Sequence, residues 1–206
     1  MTKKKKGARV IKKTLSVLLI LFLALLCELN YVFPIKHLSY VEKYSQEFNL
    51  DTALVLSIIN TESKFNEQAL SVKDARGLMQ LLPSTANWGA QSLGIDNFNE
   101  EMLYDIETNI HIGCWYLDKL LKQYNGNVTT ALCAYNAGSG NVARWLKNEQ
   151  YSSDGITLEK IPYPETESYV KKINLNLKYY SYILELKNNV QEIFKPYIGS
   201  DTDSVD

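Results

Sequence analysis

The residue with the clearest chemical potential is Glu62. Leu50, Leu54, Val55, Ile58 and Ile59 recur at helical spacing around Asp51, a good N-cap residue. Extending that stripe by three and four residues reaches Glu62, so its carboxyl is predicted on the apolar face, at the C-terminal end of a buried helix. That is a costly place for a carboxylate. Desolvation disfavours the charged form, by up to about 3–5 pH units at full burial. The negative end of the helix dipole adds only about 0.3–1 kcal/mol, which is under one pH unit. Staying protonated near neutrality requires a rise of about 2 from the reference value of about 4.3, so desolvation must dominate. A carboxylic acid kept neutral in an apolar pocket suits general-acid attack on a glycosidic bond. The competing reading is a helix-end Glu turned out to solvent.

The residues after Glu62 favour the chemical reading. Glu62-Ser63-x-Phe65, then Ala69-x-Ser71, then Ala75-x-Gly77-Leu78-Met79-Gln80-x-x-Pro83-x-Thr85-Ala86 closely resembles the lytic transglycosylase domain of the soluble lytic murein transglycosylases. Three more blocks come in the same order as in that family: Asn109-x-x-x-Gly113-x-x-Tyr116-Leu117, Ala134-Tyr135-Asn136-Ala137-Gly138-x-Gly140-x-Val142, and Pro164-Glu165-Thr166-x-x-Tyr169-Val170. The resemblance runs from about Val41 to about Leu184.

The resemblance implies a mainly α, lysozyme-like domain of the goose-type lysozyme and SLT kind. It also implies cleavage of the β-1,4 bond between N-acetylmuramic acid and N-acetylglucosamine in peptidoglycan glycan strands, leaving a 1,6-anhydro end with no water added. Glu62 matches the family's single catalytic residue, first acid and then base toward the sugar's own 6-hydroxyl. An ordinary glycosidase needs a second carboxylate about 5–5.5 Å or 6.5–9.5 Å away. Ser63 matches the neighbour of the acid and is expected to shape the turn. Ser71 and Gln80 match positions that hydrogen-bond the sugar, or else stabilise the loop. Met79 and Leu82 match the apolar cleft wall, with Leu82 standing where many relatives have Met. Tyr135 and Asn136 match the turn that closes the cleft. Tyr169 matches a tyrosine whose hydroxyl approaches the acid, and Glu165 a glutamate near the sugar or a helix-start Glu. Glu67 replaces a usual proline, Asp74 a usual glycine and Cys133 a usual alanine. Asp tolerates a left-handed backbone better than most residues. No cofactor is implied.

Two competing activities are a goose-type lysozyme hydrolase, with Glu67, Asp74 or Glu165 positioning water, and a non-catalytic wall-binding module of an envelope-spanning assembly. Retention of Glu62 with the whole cleft set argues against the second.

These residues need elements to hold them. A short helix over about Leu38–Phe48 leads into the Glu62 helix. Pro83-Ser84-Thr85 reads as a helix start with Ala86 and Trp88 inside it, and Gly89 to Met102 as loop. A long helix spans about Asp105 to Tyr124 with Ile106, Ile110, Gly113, Leu117, Leu120 and Leu121 on its buried face. Gly113 there implies close contact with another helix. Asn127 caps a helix through Ala134, Tyr135 to Gly140 forms a glycine-bearing turn, and a further helix covers Val142 to Leu146. The last helix buries Tyr169, Val170, Ile173, Leu177, Tyr180 and Leu184. No alternating strand pattern appears.

Composition sets the outer bounds. The 206 residues are 46% hydrophobic and 22% charged, globular values for one domain. The net charge of −1 hides an asymmetry: residues 1–37 hold eight of the 22 basic and one of the 23 acidic residues. The remainder is acidic, which excludes the basic face that nucleic acid requires. The basic segment 1–13 precedes an apolar run from Leu15 to Cys27, resumed after Glu28 by Tyr31, Val32, Phe33 and Ile35. No small-x-small cleavage site is present after it, and Leu26 stands where a lipoprotein signal before Cys27 needs a small residue. Residues 14–35 therefore read as an uncleaved single-pass anchor in the cytoplasmic membrane, the alternative being a cleaved secretion signal, with a transglycosylase domain over 38–190 outside the cell membrane and a polar, acidic tail over 191–206. Asp201 to Asp206 is expected to be disordered. Cys114 and Cys133 read as core thiols, and lone His37 and His111 make no metal set.

Overall fold

Helix is the regular element throughout the computed structural model, which describes residues 3–198. Extended pairing among the described residues is limited to two isolated bridges, Leu70 with Arg76 and Arg76 with Leu81. The chain divides into two units between Ile35 and Lys36. The first holds α1, Lys3–Val32. Within it, the 20 residues Lys13–Val32 are long and apolar enough to cross a membrane. They expose Leu18, Ile20 and Phe22, which a core helix would bury.

The second unit is organised on α3, Thr52–Glu62. Asp51 caps it, its carboxylate accepting the Ala53 N–H at 2.7 Å. Every residue from Ala53 to Asn60 is buried, so α3 is a central helix covered all round rather than a one-sided one. It packs against α2, Leu38–Glu47, and α8, Pro164–Ile198. α5, Ile106–Gln123, is capped by Asp105 and buries Ile110, Ile112, Cys114, Leu117 and Leu120 between its neighbours. α6, Val128–Ala137, is capped by Asn127, and α7, Ser139–Leu146, comes directly after it.

Three readings of the sequence are corrected. Gly89 to Leu93 is not loop but the second half of α4, Pro83–Leu93, and Glu100–Tyr104 is a 3-10 turn. Gly89 is there because α5 lies close: a Cβ would stand 2.6 Å from Ile112 Cγ2. Tyr135 to Ala137 is the last turn of α6, and Gly138 alone, at φ 85°, breaks the chain before α7. Gly113 of α5 makes room not for a helix but for the Met79 side chain, whose sulfur would lie 2.2 Å from an added Cβ. α8 continues past residue 190 to Ile198, and Asp201 to Asp206 lies outside the described residues.

Cys114 and Cys133 are buried free thiols. Burial raises both, Cys133 to about 12. His37 and His111 each meet one distant carboxylate, Glu67 at 3.0 Å and Glu47 at 3.3 Å.

Candidate active site

Glu62 is the final residue of α3 because the chain leaves the helix abruptly there. Ser63 donates both its N–H and its hydroxyl to the Ile59 carbonyl, at 3.0 and 3.2 Å. Lys64 and Phe65 then adopt left-handed conformations, φ 52° and 60°. Such a backbone is uncommon for a large side chain. Burial of Phe65 in the core, where it is 2% exposed, holds it in place. Asn176 of α8 donates to Thr61 Oγ1 at 2.9 Å, tying α8 to the last turn of α3.

The carboxyl of Glu62 is enclosed by protein, although the residue keeps some contact with solvent. Desolvation raises its pKa from 4.5 to about 7. The Tyr169 hydroxyl donates to Glu62 Oε1 at 2.7 Å and opposes that rise, since it favours the carboxylate. Tyr169 and Tyr135 are pushed well above the usual phenol range, first by burial and then by the Glu62 charge. Both therefore stay neutral donors when Glu62 titrates.

The facing wall is irregular backbone from Ala69 to Leu82, pinned by side chains. Ser71 Oγ accepts the N–H groups of Lys73 and Ala75 at 3.2 and 2.9 Å. Asp74 has φ 63°, the conformation for which a glycine would be usual, and pairs with Arg76 at 2.9 Å. Asn109 of α5 is fully buried. Its Oδ1 accepts the Met79 N–H at 2.8 Å, and its Nδ2 donates to the carbonyls of Arg76 and Leu103 at 3.0 and 2.7 Å. The Tyr135 hydroxyl donates to the Met79 carbonyl at 2.8 Å. Both polar backbone groups of Met79 are thus held by side chains from other helices.

Beside this wall lies a cleft of about 240 Å³, lined by Lys73, Gln80, Leu81, Leu82, Thr85, Tyr116, Tyr135, Asn136, Ala137 and Gly138. A larger cavity, about 500 Å³, is lined by Asp51 and Leu54 at the other end of α3. At 1.5 Å per residue it is roughly 15 Å from the acid and shares none of these side chains.

The transglycosylase SLT domain model matches residues 39–156, more than half of the chain. The chain belongs to the transglycosylase SLT domain family. It is similar to the soluble lytic murein transglycosylase of Escherichia coli (strain K12), 33% identical over 154 residues that cover 74% of this chain and 24% of that protein. It is also similar to the membrane-bound lytic murein transglycosylase C of Serratia proteamaculans (strain 568), 32% identical over 173 residues covering 70% and 46%. Among solved structures, an inactive glutamate-to-glutamine mutant of lytic transglycosylase Slt from Pseudomonas aeruginosa superposes with a TM-score of 0.68 at 31% identity, over 76% of this chain and 26% of that one. The 70 kDa soluble lytic transglycosylase of Escherichia coli gives 0.66 at 31% identity, over 74% and 25%. The chain thus spans about a quarter of the length of the soluble relatives.

Within this SLT domain the residues singled out from sequence fall into three groups. Gln80, Leu82, Tyr135 and Asn136 line the cleft. Of these, Gln80 spends its amide N–H groups on the Ala69 and Gly77 carbonyls, leaving its oxygen to accept. Tyr135 spends its hydroxyl on Met79, and Asn136 Oδ1 accepts from Thr166, leaving its amide Nδ2 to donate. Glu62, Met79 and Tyr169 stand behind the lining. Ser63 and Ser71 hold turns, and Glu165 is exposed in the first turn of α8 and does not line the cleft. Sequence reasoning gave no role to Asn109, Thr166 or Lys73. Asn109 had a visible signal: it interrupts the apolar face of α5 between Ile106 and Ile110.

Proposed function

We propose that this chain is a membrane-anchored lytic transglycosylase acting on peptidoglycan glycan strands. Protonated Glu62 delivers its proton to the oxygen leaving C1 of N-acetylmuramic acid as the β-1,4 bond breaks. The sugar's 2-acetamido group stabilises the cation. The resulting carboxylate then takes the proton of the 6-hydroxyl as that oxygen bonds to C1, closing the 1,6-anhydro ring. Glu62 ends protonated and no water is consumed. Tyr169, held as a neutral phenol, stabilises the carboxylate between the two steps.

The observation that carries this reading is one enclosed carboxyl, titrating near 7 and hydrogen-bonded to Tyr169, with no second carboxylate among the groups that shift it. The three candidates for a water-positioning carboxylate are engaged or turned away. Glu67 meets His37, Asp74 meets Arg76, and Glu165 is exposed. That disfavours the hydrolase.

The relative from Serratia is named membrane-bound, and Lys13–Val32 has the length and composition to span a bilayer. Basic residues precede that span, which favours a cytoplasmic N-terminus with the SLT domain outside. The deciding experiment is mass analysis of fragments released from purified peptidoglycan. Products ending in 1,6-anhydro sugars, one water lighter than lysozyme products, are expected. Mainly reducing ends would refute the proposal.

A further inference from the structure

α8 has two apolar faces. Tyr169, Val170, Ile173 and Tyr180 enter the core. A second set faces solvent: Leu175 and Ile193, each 63% exposed, with Tyr182, Leu186 and Val190 between them. Half-buried Tyr179 completes the series, with spacings of four, three, four, four and three residues. At about 100° per residue these six fall within an arc of roughly 80°. That is the narrow stripe of a helix seam, not a scatter of single exposed apolar residues.

Two observations say what covers it. From residue 188 to residue 193 every side chain is exposed, yet the helix continues. Helical turns without packing are marginal in water. In addition, one edge of the stripe carries Lys178, Glu185 and Glu192 at intervals of seven. We infer that α8 pairs antiparallel, through this stripe, with α8 of a second copy of the chain.

Setting Tyr182 against the partner's Leu186 across a two-fold axis brings Leu175 against the partner's Ile193. It also brings Lys178 beside the partner's Glu192, and does so twice. Glu185 meets the partner's Glu185 once, near the axis. On the other edge Ile183 meets the partner's Ile183. A parallel pair would place Lys178 and Glu185 beside Ile183 and Val190 and match no charge. The acidic edge toward the C-terminus, Glu185 and Glu192, also disfavours an anionic lipid surface.

The test uses the full chain in detergent micelles, with exposed Cys27 changed to Ser and the two buried thiols left in place. Mild oxidation of a mixture of Leu175→Cys and Ile193→Cys chains should give a cross-linked pair, and neither chain alone should. Lys178→Glu should weaken pairing about tenfold, since two ion pairs per dimer become like-charge contacts. Adding Glu192→Lys should restore it. Both variants sit on the exposed edge, so the thermal melt at dilutions where the chain is unpaired should not move. Efficient cross-linking of Leu175→Cys with itself would show a parallel pair and overturn the inference, as would no mixed product. In phospholipid vesicles, a nitroxide at Leu186→Cys should broaden through its partner's label. Relaxation by lipid-dissolved oxygen instead would place the stripe on the bilayer and overturn it as well.

Discussion

Glu62→Gln tests the acid and its surroundings in one comparison. The carboxyl titrates near 4.5 in the unfolded chain and near 7 when folded. Between those values the folded state holds the proton that the unfolded state releases, so wild-type stability falls as pH rises across that interval and is flat above it. At 1.36 kcal/mol per pH unit the loss is about 3 kcal/mol. Gln is nearly isosteric, has no charge to desolvate, and its Oε1 still accepts the Tyr169 hydroxyl. At pH 4, below both values, Glu62 is protonated in the folded and mostly in the unfolded chain, and the two proteins should melt nearly together. At pH 8.5 the variant should be more stable by about 3 kcal/mol, which for a domain of this size is roughly 6–12 °C in Tm. Titration of every other group is common to both proteins and cancels in the difference. Differential scanning calorimetry of the full chain in detergent at the two pH values measures it. Activity should fall in the opposite direction, by at least 10²–10⁴-fold, because Gln neither donates nor takes the proton. A stability difference that does not change with pH would show that the Glu62 carboxylate is well solvated. Wild-type activity falling as pH drops below 7 would also contradict a reaction begun by the protonated form.

The geometry sets three further outcomes. Tyr169→Phe removes the hydrogen bond that favours the Glu62 carboxylate. The alkaline limb of the pH–activity profile should move to higher pH while turnover drops. An unmoved limb would mean that the contact does not bear on the acid. Gly113→Ala places a Cβ 2.2 Å from the Met79 sulfur and 3.0 Å from its Cβ. The side chain must shift, costing about 1–3 kcal/mol by urea denaturation and lowering kcat/KM; unchanged values for both would contradict this packing. Protein from membrane fractions should keep its N-terminus and resist extraction by high salt, and recovery of a soluble species beginning near residue 30–40 would exclude the anchor.

The path from Asp51 to Glu62 was legible because it is local. A cap, an apolar period and a carboxyl in phase with them are written in consecutive residues. The cap Asn127 was legible for the same reason. Gly89 was misread because glycine signals both a break and a close approach, and only the position of Ile112 tells them apart. Tyr135 and Asn136 were placed in a turn because two nearby glycines read as one longer break. The pairs that support the cleft escaped entirely. Asn109 reaches back to Arg76 and Met79, and Thr166 to Asn136. Separations of about thirty residues match no helical period, so no pattern in the chain encodes them.

The grip of Asn109 on Arg76, Met79 and Leu103 has a dynamic consequence. The segment from Arg76 to Gln80 has no regular structure, yet the Met79 N–H within it is bonded to a fully buried side chain of α5. That amide cannot exchange with solvent unless α5 gives way, so hydrogen exchange at Met79 should be as slow as in the helices around it. A loop with the rigidity of core arrives already in shape. A sugar chain entering the cleft then loses little affinity to ordering this wall, and motion during turnover must come from elsewhere along the groove.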